Sequence, residues 1–140
     1  METEFTLDYL VLVAVSTAGV VQIAAARNGL EGILLFRRWP RATEIAAAAA
    51  IVGVFIWFFF GSGERNLPDS VAGLDGVTQG RLFATSAGLT IAAIFVLTSA
   101  VNERWARDAT HDGGKGLEAL RTTTFARALL SNLRFWDKSG

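Results

Sequence analysis

Residues 7–26 read LDYLVLVAVSTAGVVQIAAA, a run of about twenty residues in which Asp8 is the one charged side chain. A helix of about 20 residues, rising 1.5 Å per residue, crosses the roughly 30 Å hydrocarbon core of a bilayer. Two further apolar runs, Glu44–Phe60 and Leu82–Val101, have a similar length. An amphipathic helix of a soluble domain would show an apolar stripe instead of a near-continuous run. The sequence therefore predicts an all-α membrane protein with three transmembrane helices.

Composition limits the chemistry that this chain of 140 residues can perform. It contains no cysteine, which excludes disulfides, iron–sulfur clusters and cysteine nucleophiles. Its one histidine, His111, cannot by itself provide a bis-histidine haem or a zinc site of several imidazoles. The sequence shows no Ser-His-Asp set, no glycine-rich phosphate loop and no acidic residue near the centre of a span. We therefore expect no catalytic, cofactor-binding or metal-binding residues and no nucleic-acid partner.

Basic residues are distributed unevenly, and their distribution predicts the topology. Eleven of the thirteen Lys and Arg residues lie between the first two spans or after the third. The segment between the second and third spans, with its edges, contains only Arg65 and Arg81. Positively charged loops stay in the cytoplasm. We expect a multi-pass protein of the cell (inner or plasma) membrane, with its N-terminus outside and its C-terminus in the cytoplasm.

Small residues recur on the spans at helical spacing. Glycine and alanine spaced four apart allow the backbones of membrane helices to approach closely, and a polar side chain there can hydrogen-bond across helices. In the third span Ser86 and Thr90 form a second pair with this spacing, beside the pair of Ala84 and Gly88. The predicted helix-packing residues are Ala18, Gln22, Ala26, Ala46, Ala50, Gly53, Ala84 and Gly88.

The segment between the first two spans ends in a basic turn. Asn28 and Gly29 are suited to a helix end, and Pro40 is suited to the first turn of a new helix. Residues 30–36 are too short to cross the bilayer, so they either lie along its surface or continue the first helix. Basic and aromatic side chains at this level predict contact with lipid, including anionic lipid, or with a partner. We assign this role to Arg37, Arg38, Trp39 and Arg41, and at the other end of the second span to Phe58, Phe59 and Phe60.

Residues 1–107 form the predicted three-helix transmembrane domain, and residues 108–140 form a cytoplasmic tail. Gly113 and Gly114 indicate a flexible link, and an amphipathic interfacial helix is predicted over about residues 117–136. One side of this helix is apolar and the other is basic. On the apolar side, Phe125, Leu129, Leu133 and Trp136 are predicted to contact lipid or a partner subunit.

Two functions fit these features. The first is a non-catalytic accessory subunit of a larger membrane complex, which would pack against other membrane subunits through its small-residue faces. The alternative is a homo-oligomeric transport or lipid-handling protein. In that case Gln22 and the arginines of the basic turn would bind an anionic headgroup or a small solute at the inner face.

Overall fold

A computed structural model describes residues 2–61, 76–102, 120–121 and 123–130. It contains three long helices, α1 (Glu2–Asn28), α2 (Pro40–Phe60) and α3 (Gly76–Val101), and a short 3₁₀ turn at Glu31–Ile33. These described ranges contain no strand. All three helices are long and apolar enough to cross a membrane. The prediction of an all-α protein with three helices of transmembrane length is confirmed.

The helices extend beyond the predicted apolar runs because their polar flanks are also helical. The apolar spans contain 24, 21 and 26 residues, which corresponds to about 36, 32 and 39 Å at 1.5 Å per residue. Each exceeds the roughly 30 Å hydrocarbon core of a bilayer. α2 begins at Pro40, as predicted, where the missing N–H of proline costs no intrahelical hydrogen bond.

α1 is the central helix of the bundle. It packs against α2 on one side and α3 on another, whereas the described parts of α2 and α3 make hardly any contact with each other. The helices therefore form a layer with α1 in the middle, and large parts of the outer helices face away from the chain. About a fifth of the residues in each span are buried within the chain.

Contact between α1 and α2 is closest at Gly19. A Cβ atom at this position would lie 2.6 Å from a side-chain carbon of Ile51 and 3.2 Å from the carbonyl oxygen of Ala47. Towards the start of α1, Leu12, Val54 and Phe58 form a buried apolar cluster. Alpha-helices can approach this closely where one of them lacks a side chain, which is the usual role of glycine at membrane helix contacts.

The face of α3 that meets α1 carries polar side chains. The Ser86 hydroxyl donates a hydrogen bond to the carbonyl oxygen of Leu10, with an oxygen–oxygen distance of 3.2 Å. Thr98 is fully buried and bonds within its own helix, to the carbonyl oxygen of Ile94 at 2.7 Å. In hydrocarbon each polar group needs such a partner. The Ser86 bond therefore favours a fixed arrangement of α3 against α1, whereas Thr98 is satisfied within its own helix.

The chain reverses direction at Gly29 and does not continue α1. Gly29 has a φ of +64°, and the N–H of Leu30 donates to the carbonyl oxygen of Ala25 at 2.9 Å. A glycine in the left-handed region with this backbone bond is a Schellman end of a helix. Residues 30–36 then fold back against the bundle, where Ile33 and Leu34 are buried. Residues 30–36 therefore do not continue α1, because the helix ends at Asn28 and the segment packs on its own helices. We call the end of the bundle where α1 ends, residues 30–36 lie and α2 begins the loop end.

Candidate functional site

Residues 30–36, which we call the fold-back segment, are held by side-chain amides from α1 and from the end of α3. The Gln22 Nε2 atom donates to the carbonyl oxygen of Ile33, and its Oε1 atom accepts from the N–H of Leu35, both at 2.9 Å. Asn102 donates through Nδ2 to the carbonyl oxygen of Leu34 at 3.0 Å. The two amides thus satisfy backbone groups that are buried in an irregular segment, where an unpaired group would be costly.

The described part of the tail packs over this segment. Gly32 lies so close to Leu120 and Thr123 that a Cβ atom there would overlap the carbonyl oxygen of Thr123. Phe125 stacks on Phe95 of α3, with ring centroids 4.5 Å apart, and the N–H of Ala126 donates to the Ser99 hydroxyl oxygen at 3.2 Å. Residues 125–130 are helical. The loop end is therefore a packed junction of α1, α3, the fold-back segment and the tail.

The predicted packing residues of α1 lie at or beside these contacts. Gln22 is buried and Ala18 and Ala26 are half-buried, with Ala26 packed against the apolar cluster of the loop end. Gln22 thus forms hydrogen bonds within the chain. Its partners are backbone groups of the fold-back segment and not groups of another long helix.

The predicted packing residues of α2 and α3 are all exposed in the described structure. Ala46, Ala50 and Gly53 of α2 are exposed, as are Ala84 and Gly88 of α3. No atom lies within 4 Å of a Cβ built at Gly53 or at Gly88. α2 instead contacts α1 through Ala47, Val54 and their neighbours. Among the described residues, the Cβ positions of Gly53 and Gly88 are open and the three alanines are exposed, so these positions are available to a further helix.

Exposed small residues form a continuous line along α3, which we call the α3 face. It consists of Gly80, Ala84, Gly88 and Ala92, which are four apart, and all of them are exposed. The Cβ position of Gly80 is also open. Residues four apart lie on one side of a helix. The α3 face is therefore a flat strip about three turns long that another helix backbone could approach.

The basic turn lies at the loop end, between the fold-back segment and α2. Arg37 is half-buried and forms an ion pair with Glu31 at 3.3 Å. Arg38, Trp39 and Arg41 are exposed. Arg27 at the end of α1 is paired with Glu44 of α2 at 2.6 Å, an ion pair the sequence alone did not suggest.

The predicted aromatic cluster at the end of α2 is divided by the fold. Phe58 is buried against α1, where its ring lies 6.0 Å from that of Phe5. Phe59 is 41% exposed and Phe60 is 83% exposed, so both present apolar surface outward. In the tail, Phe125 packs on α3 and Leu129 is exposed, while Leu133 and Trp136 lie outside the described residues.

Other predicted features also lie outside the described ranges, among them His111, the Gly113–Gly114 link and Arg65. Within those ranges, no group of three or more His, Cys, Asp or Glu side chains is placed to hold a metal ion. The chain matches no protein-family model, no curated protein and no solved structure.

Sequence reasoning missed four residues that organise the bundle: Gly19, Gly32, Ala47 and Asn102. The sequence did contain a signal for Gly19, because it is a small residue next to the predicted packing residue Ala18. Ala47 is the second of five consecutive alanines, any of which could have faced α1. Gly32 and Asn102 act through contacts with distant parts of the chain, which residue spacing does not reveal.

Proposed function

We propose that this chain is a non-catalytic accessory subunit of a larger integral membrane complex, and that another subunit packs on the α3 face. The observation that carries this proposal is the exposure of Ala84 and Gly88, which line up with Gly80 and Ala92 on the side of α3 turned away from α1. The space around Gly88 is open on that side.

Helix packing explains the composition of the α3 face better than lipid contact does. Alanine and glycine offer little apolar surface to hydrocarbon, and glycine destabilises a helix interior relative to alanine by roughly 0.5–1 kcal/mol. Large residues such as Leu89 and Leu97 occupy other exposed positions of the same helix. Small residues at a spacing of four are enriched where membrane helices meet. The α2 residues Ala46, Ala50 and Gly53 offer a second, similar surface.

The proposal includes an orientation for the chain. The loop end collects Arg27, Arg37, Arg38 and Arg41, and the described tail adds Arg121 and Arg127 beside them. Towards the opposite end of the bundle, Arg81 is the only Lys or Arg among the described residues. Because positively charged segments stay in the cytoplasm, the proposed orientation in the cell membrane places the loop end on the cytoplasmic side and the N-terminus outside.

The alternative function, a homo-oligomer that binds an anionic headgroup or a small solute through Gln22 and the arginines, has less support. Both polar atoms of the Gln22 side chain are bonded to the fold-back segment, and Arg37 is paired with Glu31. Two of the four proposed contact residues are therefore already engaged within the chain.

Purification from native membranes tests the accessory role. The tagged chain, extracted in a mild detergent, should travel with other subunits, whose masses native mass spectrometry would give. Gly88→Leu should remove them, because the added side chain fills the open strip and separates the helix backbones by several ångströms. The Cβ position of Gly88 is open among the described residues, so the chain's own fold should accept the change. Leu89→Phe is the matched control, since residue 89 is exposed and lies about 100° around the helix from residue 88.

Loss of the partner subunits in Gly88→Leu, with retention in Leu89→Phe, would support both the accessory role and the α3 face. A wild-type chain that is released as a monomer, or only with copies of itself, would contradict the accessory role. Retention of every partner by Gly88→Leu would show that the α3 face is not the contact surface.

A further inference from the structure

The carboxylates nearest to the basic turn are already paired with other arginines. Glu44 lies 2.6 Å from Arg27, and Glu31 lies 3.3 Å from Arg37. Each of these ion pairs joins the turn or the start of α2 to another part of the loop end. Among the described residues, the two remaining arginines of the turn form no ion pair.

Arg38 and Arg41 are the two arginines of the basic turn that are not part of these ion pairs. Both are exposed, and neither forms a hydrogen bond or an ion pair with any residue in the described part of the chain. They flank Trp39 and Pro40 where the chain enters α2. An arginine presents several N–H donors in a planar fork, which suits the oxygens of a phosphate group.

Two large aromatic side chains beside these arginines are also uncovered. Trp39 is 71% exposed and Phe36 is 65% exposed, at the boundary between the loop end and the first turn of α2. Tryptophan favours the headgroup level of a bilayer, because its ring is apolar while its N–H can still donate a hydrogen bond. A free phosphate ion would leave both rings in water, whereas a lipid would cover them.

Hydrogen bonds hold the backbone of the turn in place. The N–H of Trp39 donates to the carbonyl oxygen of Phe36 at 3.0 Å, and the N–H of Thr43 donates to that of Trp39 at 3.0 Å. The buried Thr43 hydroxyl contacts the same two carbonyl oxygens, at 3.3 and 3.1 Å. The arginines therefore project from an ordered turn, which lowers the entropy cost of binding.

We propose that Arg38 and Arg41 bind the phosphate group of an anionic phospholipid, with Trp39 and Phe36 against its glycerol and upper acyl chain. The site anchors the loop end at a fixed depth in the bilayer. It is independent of the α3 face, so the lipid site and the accessory role can succeed or fail separately.

Lipid titration of the full-length chain tests this site. Purified protein in detergent micelles would be mixed with phosphatidylglycerol, phosphatidylcholine or inorganic phosphate, and native mass spectrometry would count the bound molecules. Wild-type protein should bind phosphatidylglycerol in preference to phosphatidylcholine, and millimolar inorganic phosphate should not displace it. R38Q/R41Q should weaken this binding by about 25-fold, since one basic residue near an anionic surface contributes roughly a factor of five.

A charge-matched variant controls for net charge. R65Q/R81Q also removes two arginines, both from the segment between the second and third spans with its edges, and should retain phosphatidylglycerol. A circular dichroism spectrum would confirm that each variant is as helical as the wild type. Equal loss in both double variants, no loss in R38Q/R41Q, or displacement of the lipid by inorganic phosphate would each overturn the proposal.

Discussion

At the scale of single residues, Gln22 links α1 to the fold-back segment at the loop end. One amide side chain satisfies both a carbonyl oxygen and an N–H of the fold-back segment, at 2.9 Å each. Hydrocarbon offers these groups no replacement partner. The residue is also 4% exposed, so water does not reach it within the fold.

Replacement of Gln22 by leucine should therefore destabilise the protein. The buried carbonyl oxygen of Ile33 and the partly buried N–H of Leu35 lose their partner, and loss of a partner by a buried group costs roughly 1–3 kcal/mol. Titration of the protein in mild micelles with a denaturing detergent would give the free energy of unfolding. Gln79→Leu, at an exposed position of α3, is the control and should change it by less than about 0.5 kcal/mol. A Q22L variant as stable as this control would show that the amide does not hold the segment.

At the scale of elements, the helices were predictable and the faces they present to one another were not. Uninterrupted apolar runs reveal a spanning helix, and Gly29 and Pro40 mark where one helix ends and the next begins. Five consecutive alanines in α2 give no preference to any side of the helix. The packing side of α2 therefore passes through Ala47, about 100° from the predicted Ala46.

The same ambiguity applies to α3, where two pairs of small residues have equal spacing. The fold turns Ser86 towards α1, and this leaves Ala84 and Gly88 on the opposite side. The path of residues 30–36 was also unpredictable from the sequence. It depends on Gln22 and on Asn102, and Asn102 is 68 positions away along the chain from its partner Leu34.

The contact between the tail and the fold-back segment can be tested at Gly32. Gly32→Ala places a methyl group against the carbonyl oxygen of Thr123, and backbone atoms must move to accommodate it. Because the chain has no cysteine, the pair Ser99→Cys and Ala126→Cys reports this contact through disulfide cross-linking. Gly32→Ala should slow the cross-linking by about tenfold, since overpacking costs roughly 1–3 kcal/mol.

Gly53→Ala is the control for this experiment, because the Cβ position of Gly53 is open and the residue is exposed. It should leave the rate of cross-linking unchanged. Equal rates in the Gly32→Ala and Gly53→Ala backgrounds would mean that the tail does not rest on Gly32.

At the scale of the whole molecule, three helices form an open layer that buries little of its own apolar surface. Such a layer is stable in lipid, which covers the exposed faces, and it leaves strips of small residues free for other helices. The uneven charge gives the layer a direction, because the arginines collect at the loop end. Both the accessory role and the proposed lipid site depend on this placement in a bilayer.

Thiol labelling in sealed cells decides the placement, because each introduced cysteine is the sole thiol of its chain. A membrane-impermeant maleimide would be added to cells that carry either Thr3→Cys or Ser139→Cys. We predict that Thr3→Cys reacts in intact cells, that Ser139→Cys reacts only after permeabilisation, and that both chains stay in carbonate-washed membranes. Reaction of Ser139→Cys in intact cells, or release of the chain into the soluble fraction, would contradict this arrangement.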